Sequence, residues 1–439
     1  MKKSQYNSLV NIDGQQVLYN ALSDITCALS GEVARIFADH STDEIEQLHS
    51  QFFNYLKENG FIVDNQADEL QTLIDKWHHD DTDEEHFSLS VNPTLNCNMH
   101  CWYCYENHAG NLNMPAPILE RICRLISAKV GSGKLHSLNI GFFGGEPLLN
   151  FDKVGRRIID HALEECHAHN VPLTYSFVTN GTLLTDALLD YFEQTACHVE
   201  FQITLDGNET FHNQVRKTRA GEGSYHTILN NCAKILAHPN MGLILRCNFT
   251  RQNVTSFLDV ASDIDDTLAQ HGITDRSRLT IDMHQVWQDA AATEISPTQT
   301  AEYEENLRRA FKALGLTISA KKCANRYRCY ADHTNHALVN YDGNVFRCTA
   351  RDFIPERAEG RLTADGTIEW NERSAARDAI KWSNPTCRAC SIYPLCCGNC
   401  SQAKLESGMT SGCYHHYSEA DKTAAINERV RWLLSHSPK

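Results

Sequence analysis

Cys97-Asn98-Met99-His100-Cys101-Trp102-Tyr103-Cys104 is a C-x3-C-x2-C run. It directly follows an alternating apolar segment, 87–95, that reads as a strand. Three thiolates on one short loop suit three irons of a [4Fe–4S] cube and leave the fourth iron open for chemistry. A structural zinc site is the alternative, although such sites favour C-x2-C pairs and four closed ligands. Outward from this loop, strand and helix alternate to about residue 315. The strands are 87–95, 137–143, 173–179, 199–205, 243–249 and 278–286, with helical stretches at 115–130, 152–167, 185–194, 225–238 and 253–268. Six βα units with right-handed crossovers predict a curved parallel sheet. In barrels of this kind chemistry gathers on the loops after the strands, and the cysteine loop lies after the first.

Composition bounds the rest. A chain of 439 residues with 42% hydrophobic content has room for two or three domains. No run approaches the ~20 apolar residues of a membrane span, and Met1-Lys2-Lys3-Ser4-Gln5 lacks the apolar core of a signal peptide. A cytoplasmic protein without a membrane partner is expected. In that compartment 18 cysteines point to metal or redox chemistry rather than disulfides. A net charge of −15 argues against a nucleic-acid surface.

Residues 1–85 read as a separate unit. The stretches 6–12 and 16–22 flank Asp13-Gly14, a hairpin signal. Helices are predicted at 30–38 and 67–77. A longer one at 42–59 carries Ile45, Leu48, Phe52, Tyr55 and Leu56 at helical spacing and ends at Gly60. A short strand fits 61–63, and the acidic run Asp80-Asp81-Thr82-Asp83-Glu84-Glu85 reads as a linker. The combination suits a winged-helix-like module.

The cysteine run, with the aromatic Tyr103 before its third cysteine, is similar to the signature of the radical S-adenosylmethionine (SAM) superfamily. The resemblance implies an α/β fold, a partial (β/α)6 TIM barrel over 86–315. It also implies SAM chelated at the open iron of a cluster on Cys97, Cys101 and Cys104. Gly144-Gly145-Glu146-Pro147, after the second strand, resembles the superfamily motif at the SAM amino group. Glycines there let backbone groups approach a ligand closely, and a plain tight turn is the other reading. Thr179-Asn180-Gly181-Thr182 occupies a further ligand-facing turn. Thr204-Leu205-Asp206-Gly207 matches a family motif that normally begins with Ser. Asp206 is expected at the ribose hydroxyls, or as a helix cap. Arg216 and Arg246 are candidates for the SAM carboxylate, or structural ion-pair partners. Asn248 and His284-Gln285-Val286-Trp287 are candidates for the adenosine pocket, or ordinary barrel packing.

A second constellation follows: Cys323-x5-Cys329, Gly343-x4-Cys348, Cys387-x2-Cys390-x5-Cys396-x3-Cys400 and Cys413. It resembles the SPASM domain, a C-terminal extension carrying two auxiliary [4Fe–4S] clusters, which would bring the total to three. The family pattern implies Cys323, Cys329, Cys348 and Cys400 for the first, and Cys387, Cys390, Cys396 and Cys413 for the second. Zinc is the alternative for any four-cysteine set. Cys397 lies beside a ligand position, and Cys27, Cys123, Cys166, Cys197, Cys232 and Cys247 read as small apolar fillers. The N-terminal pattern resembles the recognition domain of enzymes that modify ribosomally made peptides, which hold a leader peptide as an added strand. A packing cap is the other reading. The domains implied are thus 1–85, 86–315 and 316–439.

These resemblances imply a radical SAM/SPASM peptide maturase that installs a carbon–carbon or thioether cross-link in a precursor peptide with a leader. Its electron donor would be of the flavodoxin or ferredoxin type. An anaerobic sulfatase maturase is the nearest alternative. Those enzymes carry an Asp just after the G-x4-C cysteine, where this chain has Thr349, and typically begin near the first cysteine motif. A non-catalytic cluster- or zinc-binding scaffold that recognises peptides is an alternative of another class. No catalytic base is singled out, although Asp332, Asp342 and Asp352 lie in the right region.

Overall fold

The computed structural model describes every residue except 109, 219, 287–296, 320–325, 327, 399 and 437–439, with backbone alone at 297–301 and 304. The chain divides into two units, one of residues 1–83, 320–334 and 375–439, the other of 84–319 and 335–374.

One eleven-stranded sheet runs through the second unit. Its central strands are His86–Val91, Ser137–Phe142, Leu173–Thr179, His198–Leu205, Met241–Phe249 and Leu279–Gln285, each parallel to the next. All the expected βα units are present. Period-two alternation explains them: Phe87, Leu89, Val91, Leu138, Ile140, Phe142, Tyr175 and Phe177 pack into one core with the helices Ala116–Val130 and Arg156–His169. Each such side chain contributes about 1.5–3 kcal/mol by burial. The opposite face carries small residues. A Cβ built on Gly141 would lie 3.3 Å from Ser176 Oγ and 3.5 Å from Ser90 Oγ. Small side chains are thus neighbours across these three strands.

The sheet does not end with the barrel. His336–Val339 pairs in parallel with His86–Val91, and Asn344–Phe346, Gly360–Leu362 and Ile368–Trp370 continue antiparallel. The cysteine pattern had suggested one domain over 316–439; instead, 335–374 extends the barrel sheet. His336, Ala337, Leu338 and Val339 are all buried, as a strand covered on both faces must be.

In the first unit, Asn7–Ile12, Gln15–Asn20 and Ile25–Leu29 form an antiparallel sheet. The expected Asp13-Gly14 turn has φ of 53° and 90°, the double left-handed conformation that tight hairpins need. Helices Gly31–Asp39, Thr42–Leu48, Ser50–Glu58 and Glu69–Asp81 follow. The helix expected over 42–59 is two helices. His49 (φ −152°, ψ 75°) breaks it and caps the second, its Nδ1 accepting from the Phe52 N–H at 3.2 Å.

The acidic linker is also corrected. The helix runs on through Asp81, which is 1% exposed. Arg328 donates to one of its carboxylate oxygens, and Lys381 Nζ lies 3.4 Å from the other. Partners this distant in sequence hide from a local charge count. Residues 1–83 are likewise not a separate body. Tyr6, Val17, Tyr19, Leu73 and Trp77 share a core with Ile392, Tyr393, Leu395, Ile426 and Val430, and Trp77 meets Tyr393 edge-on at 4.9 Å. Arg429, on the C-terminal helix Glu419–His436, pairs with Asp24. Among the described residues, no helix is long and apolar enough to cross a membrane.

Candidate active site

The cysteine loop is pinned where it crosses the Gly144-Gly145-Glu146-Pro147 turn. Glu146 N–H donates to the Asn96 carbonyl at 2.9 Å. A Cβ on Gly145 (φ 53°) would lie 2.3 Å from that same oxygen, so only glycine permits the crossing. Within the loop, Cys104 N–H donates to the Cys101 carbonyl at 3.1 Å, and Met99 is buried beneath it.

Cys97, Cys101 and Cys104 line a cavity of about 130 Å³ together with Gly144, Gly145, Thr179, Asn180, Thr204 and Arg216. Nine residues singled out from sequence thus converge on one space. A second cavity of about 200 Å³ is lined by Trp102, Asp206, Phe211, Asn248, Gln252 and Val286. Tyr103 belongs to both walls. Its hydroxyl donates to Asp206 at 2.9 Å and accepts from Arg216 Nη2 at 2.7 Å and Asn248 Nδ2 at 3.1 Å. Arg216 Nε lies 2.5 Å from Asp206. Burial pushes the Asp206 carboxyl up, and Arg216 opposes that shift. Beneath this network His212 accepts from the Asp206 N–H at 3.3 Å, and its other ring nitrogen lies 2.9 Å from Ser224 Oγ. Burial, with the Arg216 charge, holds His212 down to about 3, so it stays neutral and fixes the turn.

The assigned residues Glu146, Pro147, Arg246, His284 and Gln285 line neither cavity. Glu146 is fully buried and accepts from Thr179 Oγ1 at 2.8 Å and the Asn180 N–H at 2.7 Å. It ties the second strand's turn to the third's, while burial raises its carboxyl to about 7. Pro147 starts a short 3-10 turn and is buried. Arg246 donates to Asn248 Oδ1 at 3.1 Å and lies 4.0 Å from Asp282. Glu106 and His108 are among the cavity residues that escaped sequence reasoning. Glu106 accepts from the Gly145 N–H at 2.6 Å, and His108 Nε2 lies 3.2 Å from Cys104 Sγ. Their closeness to Cys104 in the chain was the available signal. Of the three aspartates considered as bases, Asp352 acts electrostatically on Glu106. Asp342 accepts from Asn340 and Asn344 within its turn, and Asp332 accepts from Ser401.

Residues 91–260 match the family model of the radical SAM superfamily. They form a radical SAM domain. Among curated relatives, the radical SAM cyclopropyl synthase TigE of Paramaledivibacter caminithermalis is 25% identical over 241 residues, 48% of this chain and 49% of that one. The serine-type anaerobic sulfatase-maturating enzyme of Bacteroides thetaiotaomicron is 23% identical over 362 residues, covering 73% and 85%. Among solved structures, Streptococcus suis SuiB shares the fold with a TM-score of 0.51 and 15% identity, covering 94% of this chain and 97% of that one. The chain spans about a third to a half of the length of two curated relatives it matches.

A radical SAM domain implies a [4Fe–4S] cluster and SAM, and the donor set here fits. Among the described residues no three cysteine sulfurs lie within 4.8 Å of one another. Burial pushes the Cys97 thiol up to about 12 and Cys104 to about 11. A bound metal's positive charge would hold such groups as thiolates. The same holds for Cys396, pushed by burial to about 12.

The remaining cysteines fall as follows. In the first unit, Asn384 Oδ1 caps the turn that carries Cys387, while its Nδ2 donates to the Gly412 carbonyl at 2.8 Å, next to Cys413. Cys390 and Cys413 both act electrostatically on Cys387, and Cys387 and Cys390 act on Cys396. Cys329 and Cys400 belong to this unit and Cys348 to the other. Cys323 lies outside the described residues, as does Trp287.

Proposed function

We propose that this chain is a radical SAM peptide maturase that cross-links a ribosomally made precursor. The observation that carries the reading is the cavity where Cys97, Cys101 and Cys104 meet Gly144, Gly145, Thr179 and Asn180. Cys97, Cys101 and Cys104 would hold the cluster there with SAM beside the Gly144-Gly145 turn, and the pair would supply radical hydrogen abstraction. The protein's share is positioning. Gly144 and Gly145 bring backbone groups to the methionine end, and Thr204 and Arg216 line the same space. Tyr103 divides this space from the second cavity, whose Asp206, Asn248 and Val286 suit a ribose and a purine. The buried Tyr103–Asp206–Arg216 network keeps that wall rigid.

Three clusters are proposed on the eleven cysteines named above. A peptide substrate is supported by SuiB, whose structure is known bound to the precursor peptide SuiA, and by TigE, named as a cyclopropyl synthase. Residues 1–83 offer a sheet with Asn7–Ile12 and Ile25–Leu29 at its edges, where a leader strand would add. The sulfatase-maturating likeness supports a second reading, formylglycine formation. Co-expression with a short peptide encoded beside the gene separates the two. The expected outcome is a product lighter by a pair of hydrogens with fragment ions interrupted between the linked residues. An aldehyde trapped at a single Cys or Ser would favour the second reading.

A further inference from the structure

Among the described residues, Glu106 is the one carboxylate lining the cavity of Cys97, Cys101 and Cys104. Its Oε2 accepts from the Gly145 N–H at 2.6 Å, which fixes the side chain against that turn. Its Oε1 takes no hydrogen bond from a described residue, and the carboxylate makes no ion pair among them. The basic groups on the same wall are engaged elsewhere. Arg216 donates through Nε to Asp206 and through Nη2 to the Tyr103 hydroxyl. His108 places Nδ1 2.6 Å from the Leu95 carbonyl and Nε2 3.2 Å from Cys104 Sγ. No other carboxylate could serve a ligand here in its place. Glu146 is fully buried, and both its oxygens accept: Oε1 from Thr179 Oγ1 at 2.8 Å and the Leu148 N–H at 3.1 Å, Oε2 from the Asn180 N–H at 2.7 Å. Asp206 lines only the second cavity, and Asp352 lines neither.

We propose that Glu106 Oε1 accepts a hydrogen bond from the α-amino group of SAM, so that Glu106 orients the methionine end of the ligand beside the cysteine loop. This rests on the reading that SAM binds with that end at the Gly144-Gly145 turn. A ligand filling the cavity displaces water from the carboxylate, and an oxygen left unmatched there would weaken binding. The amino group offers N–H donors both when free and when bound to iron. A carboxylate is a stronger acceptor for such a donor than a neutral carbonyl. Because Gly145 already holds Oε2, little side-chain freedom remains to be lost when the ligand arrives. The glutamate of the Gly144-Gly145-Glu146-Pro147 motif braces two strand turns, and the carboxylate that faces the ligand comes from the cysteine loop instead.

The test uses the full-length chain, reconstituted anaerobically, with iron analysis beside each titration. Equilibrium binding is measured for SAM and, by competition, for the SAM analogue that lacks the α-amino group. Glu106→Gln keeps an oxygen for the Gly145 N–H and puts an amide NH2 where the second oxygen stood. SAM should bind Glu106→Gln about 10- to 100-fold more weakly than wild type, whereas the analogue should bind both proteins alike. Equal weakening of SAM and the analogue would overturn the proposal. A carboxylate that merely braces the Gly145 turn, or that faces the sulfonium or the adenine, would act on both compounds. Unchanged SAM affinity would overturn it as well. So would iron lost from Glu106→Gln alone, since Glu106 would then serve the cysteine loop and not the ligand. A wild-type chain with its full iron complement that binds neither compound would overturn the reading of the cavity, and the proposal with it.

Discussion

Replacing the loop cysteines together (Cys97→Ala, Cys101→Ala, Cys104→Ala) is expected to abolish 5′-deoxyadenosine formation while the auxiliary clusters remain. Iron content should fall from about twelve to about eight per chain. The three sulfurs line one cavity with the Gly144-Gly145 turn, so removing them leaves SAM nothing to chelate. The loop itself should persist, because its fixed points are backbone contacts: Glu146 N–H on the Asn96 carbonyl and Cys104 N–H on the Cys101 carbonyl. Folding and chemistry therefore separate in this variant. Iron analysis and quantification of 5′-deoxyadenosine after dithionite reduction check it. Iron retained at about twelve, or product formed at the wild-type rate, would mean that another site binds SAM.

The second large effect concerns Arg216. Arg216→Met leaves the Asp206 carboxylate, 1% exposed, without its cation. Breaking one side of a buried ion pair costs about 3–5 kcal/mol. Tyr103 would lose a donor as well, since Arg216 Nη2 reaches its hydroxyl at 2.7 Å. Denaturant unfolding should register the loss. The double variant Arg216→Met with Asp206→Asn should recover much of it, because no uncompensated charge remains. SAM binding should stay weak in both, since Arg216 and Asp206 line the two cavities that Tyr103 divides. An Arg216→Met protein as stable as wild type would show that Asp206 is not charged in the folded state.

Much of this architecture was legible because it is local. The barrel strands alternate every second residue, as in Phe87, Leu89 and Val91, and the hairpin is written in Asp13-Gly14. The cysteine loop and the turns that face it were legible because metal and ligand chemistry demands particular residues at short spacings. What escaped was non-local or masked by pattern. The break at His49 sits inside an unbroken helical periodicity, and Leu48 before it is 59% exposed, so the apolar stripe was partly fortuitous. Asp81 looked like part of a solvated charge run, yet its partners Arg328 and Lys381 lie hundreds of residues away. The strand His336–Val339 is too short to read alone and earns its place only by pairing with His86–Val91. Glu146 reads as a ligand contact from its motif, whereas its carboxylate is spent on Thr179 and Asn180. Its contribution to the site is indirect.

The measurement that bears most directly on the radical SAM reading is anaerobic turnover of the reconstituted wild-type chain with SAM and dithionite, followed by quantification of both cleavage products. The expected result is methionine and 5′-deoxyadenosine in equal amounts, dependent on the reductant and on loaded iron. Absence of 5′-deoxyadenosine from a chain holding its full iron complement would contradict it.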